Sequence, residues 1–149
     1  MKSRKWLAYG LKLLGQRDYT WNELSFRLEK KGAGAEDRKE VRQYLLEKGY
    51  LREEQLVSQL VEQQLKRGRG LLYIKNLLER RKVEKEVISQ VIGNFDYEAE
   101  LSAARDYLER CRRKCQKDFS ELRLRSRGFS AWTIERLREH YRDQEKFRN

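Results

Sequence analysis

The sequence predicts an all-α protein of three tandem three-helix repeats, stacked into an elongated, slightly curved body. Two observations carry that expectation. There is no proline and only 9 glycines in 149 residues, several of them closing helical patterns, so nearly everything between the punctuation is free to be helix. In addition, one phrase occurs three times: Leu24-Ser-Phe-Arg-Leu28-Glu-Lys-Lys-Gly32, Ile74-Lys-Asn-Leu-Leu78-Glu-Arg-Arg-Lys82-Val83 and Leu122-Arg-Leu124-Arg-Ser-Arg-Gly128-Phe129. With Gly32, Lys82 and Gly128 in register, Leu28, Leu78 and Leu124 share one position, and Arg38, Ile88 and Ile134 share another. Units of about fifty residues, expected at 1–51, 52–97 and 98–149, cannot each bury a face alone and so stack on their neighbours.

The first repeat opens on a helix near residues 4–15, with Trp6, Leu7, Gly10, Leu11 and Leu14 on one stripe, and Gln16-Arg-Asp-Tyr19 breaks it. Thr20-Trp-Asn-Glu23 is a capping box, in which the threonine oxygen takes a free backbone N–H and the glutamate reaches back to the cap residue. A second helix therefore starts there and ends at Gly32. A third runs over 35–48 with Val41, Tyr44 and Leu45 inward; Gly49 suits a left-handed cap, and Tyr50 and Leu51 are expected to fold back on the last turn.

The second repeat begins with a helix near 52–66, striped by Leu56, Val57, Leu60, Val61 and Leu65, and Gly68-Arg69-Gly70 ends it. A basic helix near 71–81 and a short one near 84–93, with Val87, Ile88 and Val91 inward, complete the unit. In the third repeat Leu101, Ala104, Leu108, Cys111 and Cys115 form one seam, followed by helices near 117–127 and 131–141. Ser130 is placed to cap the last, with Ile134 and Leu137 inward.

Charge is abundant and unevenly spread. Charged residues make up 40% of the chain against 38% hydrophobic, and the formal net charge is +11. Residues 66–82 carry +6 and residues 110–127 another +6, leaving the remainder at −1. A chain that concentrates its excess in two windows is expected to face a polyanion there, although helix-end complementation of the macrodipole would also explain part of it. Tyr73 and Phe129 beside these windows suit base stacking or core packing.

Other chemistry is poorly supported. Cys111 and Cys115 share a helix face, but they lie on an apolar seam, and His140 is the one non-carboxylate ligand that a metal site would add. His140 has no serine or cysteine partner at a recognisable spacing. Gly68 and Gly70 lack the Gly-Lys-Ser/Thr ending and preceding strand of a phosphate loop, and read as a turn. No enzyme, cofactor or metal is expected. Nor is a membrane span or signal peptide, which points to the cytoplasm.

Tyr9-Gly-Leu-Lys-Leu-Leu14, Arg17-Asp-Tyr-Thr20, Glu23-Leu24, Leu28, Lys31-Gly32, Leu46-Glu-Lys-Gly-Tyr-Leu51, Arg67-Gly-Arg-Gly70, Ile74 and Leu78 together resemble the RecX family of bacterial RecA regulators. Departures are Arg52-Glu53 where an acidic pair is common, Leu71 where proline is frequent, Gly34 in place of a hydroxyl cap, and Arg38 in place of an apolar residue. The resemblance implies three tandem three-helix repeats and a non-enzymatic modulator, an inhibitor in character, lodged in the groove of the RecA–DNA filament. Reduced ATP hydrolysis, strand exchange and coprotease activity follow from that role. The expected partners are the RecA nucleoprotein filament and, more weakly and in a salt-sensitive way, single- and double-stranded DNA; no membrane is involved and the protein is expected to be a monomer. Filament or DNA binding is assigned to Lys66, Arg67, Arg69, Lys75, Arg80, Arg81, Lys82, Arg112, Arg113, Lys114, Lys117, Arg123, Arg125 and Arg127. The rival is a general helical nucleic-acid-binding protein with a helix-turn-helix reader. Against it, residues 35–48 are nearly charge-balanced, and residues 84–93 are short and acidic at their start.

Overall fold

The computed structural model describes residues 3–115 and 119–147. Among them lie nine α-helices and no strand: α1 (Arg4–Gln16), α2 (Trp21–Lys30), α3 (Ala35–Glu47), α4 (Glu53–Lys66), α5 (Leu71–Arg80), α6 (Lys85–Gly93), α7 (Tyr97–Cys115), α8 (Glu121–Ser126) and α9 (Ala131–Phe147). The protein is all-α. It divides into two compact units, Met1–Gln59 with Leu78–Ile88, and Leu60–Leu77 with Ser89–Asn149; the bounds fall inside α4, α5 and α6.

In the first unit α1, α2 and α3 pack around Leu13, Trp21, Leu24, Leu28, Val41, Leu45 and Leu51. The α1 stripe packs as expected, with Gly10 buried and Trp6, Leu7, Leu11 and Leu14 half-buried against this core, and Leu13, outside the expected stripe, is buried as well. The capping box at α2 forms as read: Thr20 Oγ1 accepts from the Glu23 N–H at 3.2 Å, and the Thr20 N–H donates to Glu23 Oε1 at 3.0 Å. At the end of α3, Gly49 is left-handed and Leu51 is buried, but Tyr50 is 54% exposed and does not fold inward. The N–H groups of Tyr50 and Leu51 both return to Leu45 O, at 2.9 and 3.3 Å, and of the two side chains it is that of Leu51 that enters the core.

Each of the three recurring phrases ends in the same hydrogen-bonded cap. The N–H groups of Gly32, Lys82 and Gly128 donate to Glu29, Glu79 and Arg125, and those of Ala33, Val83 and Phe129 reach back to Leu28, Leu78 and Leu124. The residue after the cap is buried each time, and Leu28, Leu78 and Leu124 are fully buried. Glycine takes the left-handed position twice; Lys82 takes it with φ 56.

In the second unit α7 and α9 pack against each other, and α8 against α9, over Leu101, Ala104, Leu108, Leu124, Phe129, Ile134 and Leu137. Helix α8 starts at Glu121, later than the expected 117, because Ser120 Oγ accepts from the Arg123 N–H at 3.3 Å and defines the first turn. Helix α9 continues to Phe147, beyond the expected 141. Its cap Ser130 belongs to a buried network centred on Glu100, whose carboxylate accepts from the Leu71 N–H at 2.6 Å, from the Ser130 N–H at 3.3 Å and from the Ser130 and Thr133 hydroxyls. Four donors satisfy this fully buried carboxylate.

Candidate nucleic-acid interface

The second unit brings arginines from both basic windows to one place. The Gly70 N–H donates to Arg127 O at 3.0 Å and the Leu72 N–H to Gly128 O at 2.9 Å, so two backbone segments meet directly. Only glycine permits the approach: a Cβ on Gly70 would lie 2.4 Å from Phe129 Cα, and one on Gly128 would lie 2.5 Å from the Tyr73 nitrogen. The Arg67-Gly-Arg-Gly70 segment is thus a packing joint. Arg127 secures it, donating from Nε to Gly68 O at 2.9 Å and from Nη2 to Arg67 O at 2.5 Å, with its guanidinium 4.8 Å from the Tyr107 ring centre.

The electrostatics record the crowding. Burial first, and then the charges of Arg69 and Arg110, pull the Arg127 guanidinium below its ordinary value against the opposing pull of Tyr107 and Cys111. Burial, followed by its hydrogen bond with Cys111, pushes the Tyr107 phenol up, while Arg127 and Arg123 oppose the rise. Within the second unit Arg69 and Arg110 therefore lie within electrostatic reach of Arg127, and Arg123 and Arg127 within reach of Tyr107. Among the described residues no ion pair involves Arg67, Arg69, Arg110 or Arg123. Arg69 lies 4.3 Å from the Tyr73 ring centre.

The remaining sequence-predicted cations of this unit are spread more loosely. Lys66, Lys75, Arg112 and Lys114 are exposed; Arg113 pairs with Glu109 at 3.5 Å and Arg125 with Glu121 at 4.0 Å. Lys117 lies outside the described residues, as does the side chain of Cys115. Phe129 is 1% exposed, so it packs in the core and offers no face to a base. His140 stands edge-on to Tyr141.

In the first unit Arg81 repeats what Arg127 does. It donates to Glu23 from Nε at 3.0 Å and from Nη2 at 3.2 Å, and to Asp18 O at 3.2 Å, while its own carbonyl accepts from Thr20 Oγ1 at 2.9 Å. Asp18 and Thr20 occupy the positions that Gly68 and Gly70 hold fifty residues later, and Arg81 and Arg127 each precede the left-handed residue. Burial pushes the Glu23 carboxyl up, but the Thr20 N–H, Arg81 and Arg17 outweigh it and hold it below the usual range. A matching pair of glutamates acts nearby: Glu53 accepts the Trp21 N–H at 2.6 Å, as Glu100 accepts that of Leu71.

Beside Arg81, Arg80 and Lys82 are exposed. The Lys82 ammonium lies 3.8 Å from the Phe26 ring centre and that of Lys30 lies 4.6 Å from it. Neither Lys30 nor Phe26 stood out in the charge windows, because α2 and α3 are rich in glutamate and look neutral when charges are counted along the chain. Arg110 fell inside its window, yet only the fold brings it within electrostatic reach of Arg127.

Chemically, these surfaces offer cations in fixed positions, which suits phosphate or carboxylate groups of a larger partner. No protein-family model matches the chain. It is similar to the regulatory protein RecX of Trichlorobacter lovleyi, at 33% identity over 102 residues that span 67% of this chain and 66% of that protein. Its fold is similar to the crystal structure of RecX from Lactobacillus salivarius, with a TM-score of 0.79 and 14% identity over 93% of this chain and 95% of that one. A second crystal structure, of regulatory protein RecX, matches with a TM-score of 0.72 and 16% identity over 92% of this chain and 73% of that one.

Proposed function

Because the chain belongs to the RecX family, we propose that it is a non-enzymatic, cytoplasmic regulator of the RecA recombinase that binds the RecA–DNA filament and lowers its activity. The observation that carries the binding surface is that Arg127 holds the Arg67 carbonyl and feels the charges of Arg69 and Arg110, while no ion pair among the described residues involves Arg67, Arg69, Arg110 or Arg123. Such a cluster is costly to assemble by self-repulsion alone and is relieved by an anion. Lys66, Lys75, Arg112, Arg113, Lys114 and Arg125 extend it within the second unit; the first unit offers exposed cations of its own at Arg80 and Lys82. Arg81 and Arg127 hold the adjoining backbone and contact the ligand least.

The same reading takes the chain as three repeats, 1–51, 52–97 and 98–149. The matching roles of Arg81 and Arg127, of Thr20 and Gly70 toward their carbonyls, and of Glu53 and Glu100 support it. A regulator of this kind acts by binding one filament state better than another, which shifts the population toward that state.

The test is DNA-dependent ATP hydrolysis by RecA during titration with this protein, with DNA in excess so that competition for DNA is removed. Turnover is expected to fall, and sedimentation should show tighter binding to RecA-coated than to bare DNA. Flat turnover with equal binding to both would transfer the assignment to a general helical nucleic-acid-binding protein.

A further inference from the structure

We infer that Phe26, flanked by Lys30 and Lys82, is a stacking site for a single strand of nucleic acid. Three observations lead there. Phe26 is a large aromatic residue left 43% exposed on α2, although the helix buries Trp21, Leu24 and Leu28 completely or nearly so on its other face. Two ammonium groups stand over its ring, at 3.8 Å and 4.6 Å from the centre. And Lys82 is held in the left-handed backbone conformation, with φ 56, at the position where the two equivalent caps carry glycine.

The third observation gives the site its direction. A side chain in that conformation is strained, and such strain persists where the surroundings over-determine it and a function uses it. Here the surroundings are explicit: the Lys82 N–H donates to Glu79 O at 3.0 Å, and its carbonyl accepts from Asn22 Nδ2 at 2.7 Å. The lysine that glycine would replace without strain is the one that reaches the exposed ring.

A single strand is the occupant these groups fit. A base stacks on the ring and displaces a lysine head from the π-face to the neighbouring phosphate, which both lysines reach on exposed stems. A duplex keeps its base faces inside the stack and offers the lysines only phosphates. An acidic peptide likewise pairs with the lysines and gains nothing from the ring. The inference deepens the reading that the protein works on RecA–DNA filaments, but the site is tested on bare nucleic acid and so stands apart from RecA.

The experiment measures binding of the full chain to a single-stranded oligonucleotide carrying 2-aminopurine, and to the matching duplex, over a salt series. F26A should weaken single-strand binding about 5- to 100-fold with an unchanged salt slope, leave duplex binding within about twofold, and lose the stacking-dependent quenching. F26W, which keeps an aromatic face, should restore both binding and quenching. K82N, whose side chain tolerates the left-handed backbone, and K30Q should each reduce the slope on single strands by about 0.7. Equal single-strand affinity in F26A and wild type overturns the inference, as does an equal loss on both nucleic acids. Polyglutamate binding that depends on Phe26 overturns it in favour of an acidic protein partner. Phe26-dependent strand binding by a wild-type protein that leaves RecA turnover unchanged removes the RecA reading alone.

Discussion

Arg127 and its neighbours Arg67 and Arg69 look interchangeable in the sequence, and the structure predicts that substituting them has opposite consequences. Arg127→Met removes charge-assisted hydrogen bonds to Gly68 O and Arg67 O and the stacking over Tyr107. Two such bonds are worth about 1.5–3 kcal/mol each when well shielded. Arg127 is only half-buried, so water replaces part of the loss and the net cost is about 2 kcal/mol. For a chain of this length that lowers Tm by roughly 4–8 °C. Arg67 and Arg69 make no such bonds from their side chains to the described residues, so R67M/R69M should shift Tm by less than about 2 °C. The DNA results should invert. Each phosphate neutralised contributes about −0.9 to the duplex salt slope, so R67M/R69M should flatten it by about 1.8, whereas Arg127→Met should weaken affinity a few-fold with the slope unchanged. Circular dichroism at 222 nm on heating and fluorescence anisotropy from low to moderate salt measure the two effects. If Arg127→Met melts like wild type and flattens the slope by a full charge, the division between holding and contacting arginines is wrong.

Acid stability should depend on Glu23. Its folded pKa lies below the unfolded carboxylate range, so its contribution is present above about pH 4.3 and is lost as pH falls through the folded value. Arg81→Met should therefore lower the unfolding free energy measured in urea at pH 7 by about 1–2 kcal/mol, and have much less effect at pH 3; an equal effect at both would exclude the Glu23 ion pair as the cause. The cap residues should respond in opposite senses. Lys82→Gly relieves a left-handed lysine at some cost in unfolded-state entropy, for a net gain of about 0.5 kcal/mol, while Gly128→Ala forces a Cβ to within 2.5 Å of the Tyr73 nitrogen and should cost more than about 3 kcal/mol. Chemical denaturation of both variants checks the pair, and a stabilised Gly128→Ala protein would contradict the close backbone approach.

What could be read from the chain alone were the features whose partners lie a few residues apart. The Thr20–Glu23 capping box, the glycine caps and the buried Leu28, Leu78 and Leu124 all arise from backbone groups that a single helix turn brings together, so local sequence suffices to specify them. The all-α class follows from the same local signals. Helix α1 shows the margin of such reading, since Leu13, outside the expected stripe, is buried together with it. The surface could not be read in the same way. Arg81 finds Glu23 across 58 residues and Arg127 finds Gly68 across 59, so whether an arginine holds the fold or faces a ligand depends on which backbone carbonyl or carboxylate the packing sets beside it. Counting charges in windows treats neighbours in sequence as neighbours in space. Coulomb interactions follow distance instead, and so tertiary structure alone brought Arg69 and Arg110 within electrostatic reach of Arg127, turned Phe129 inward, and left Phe26 outside between two lysines.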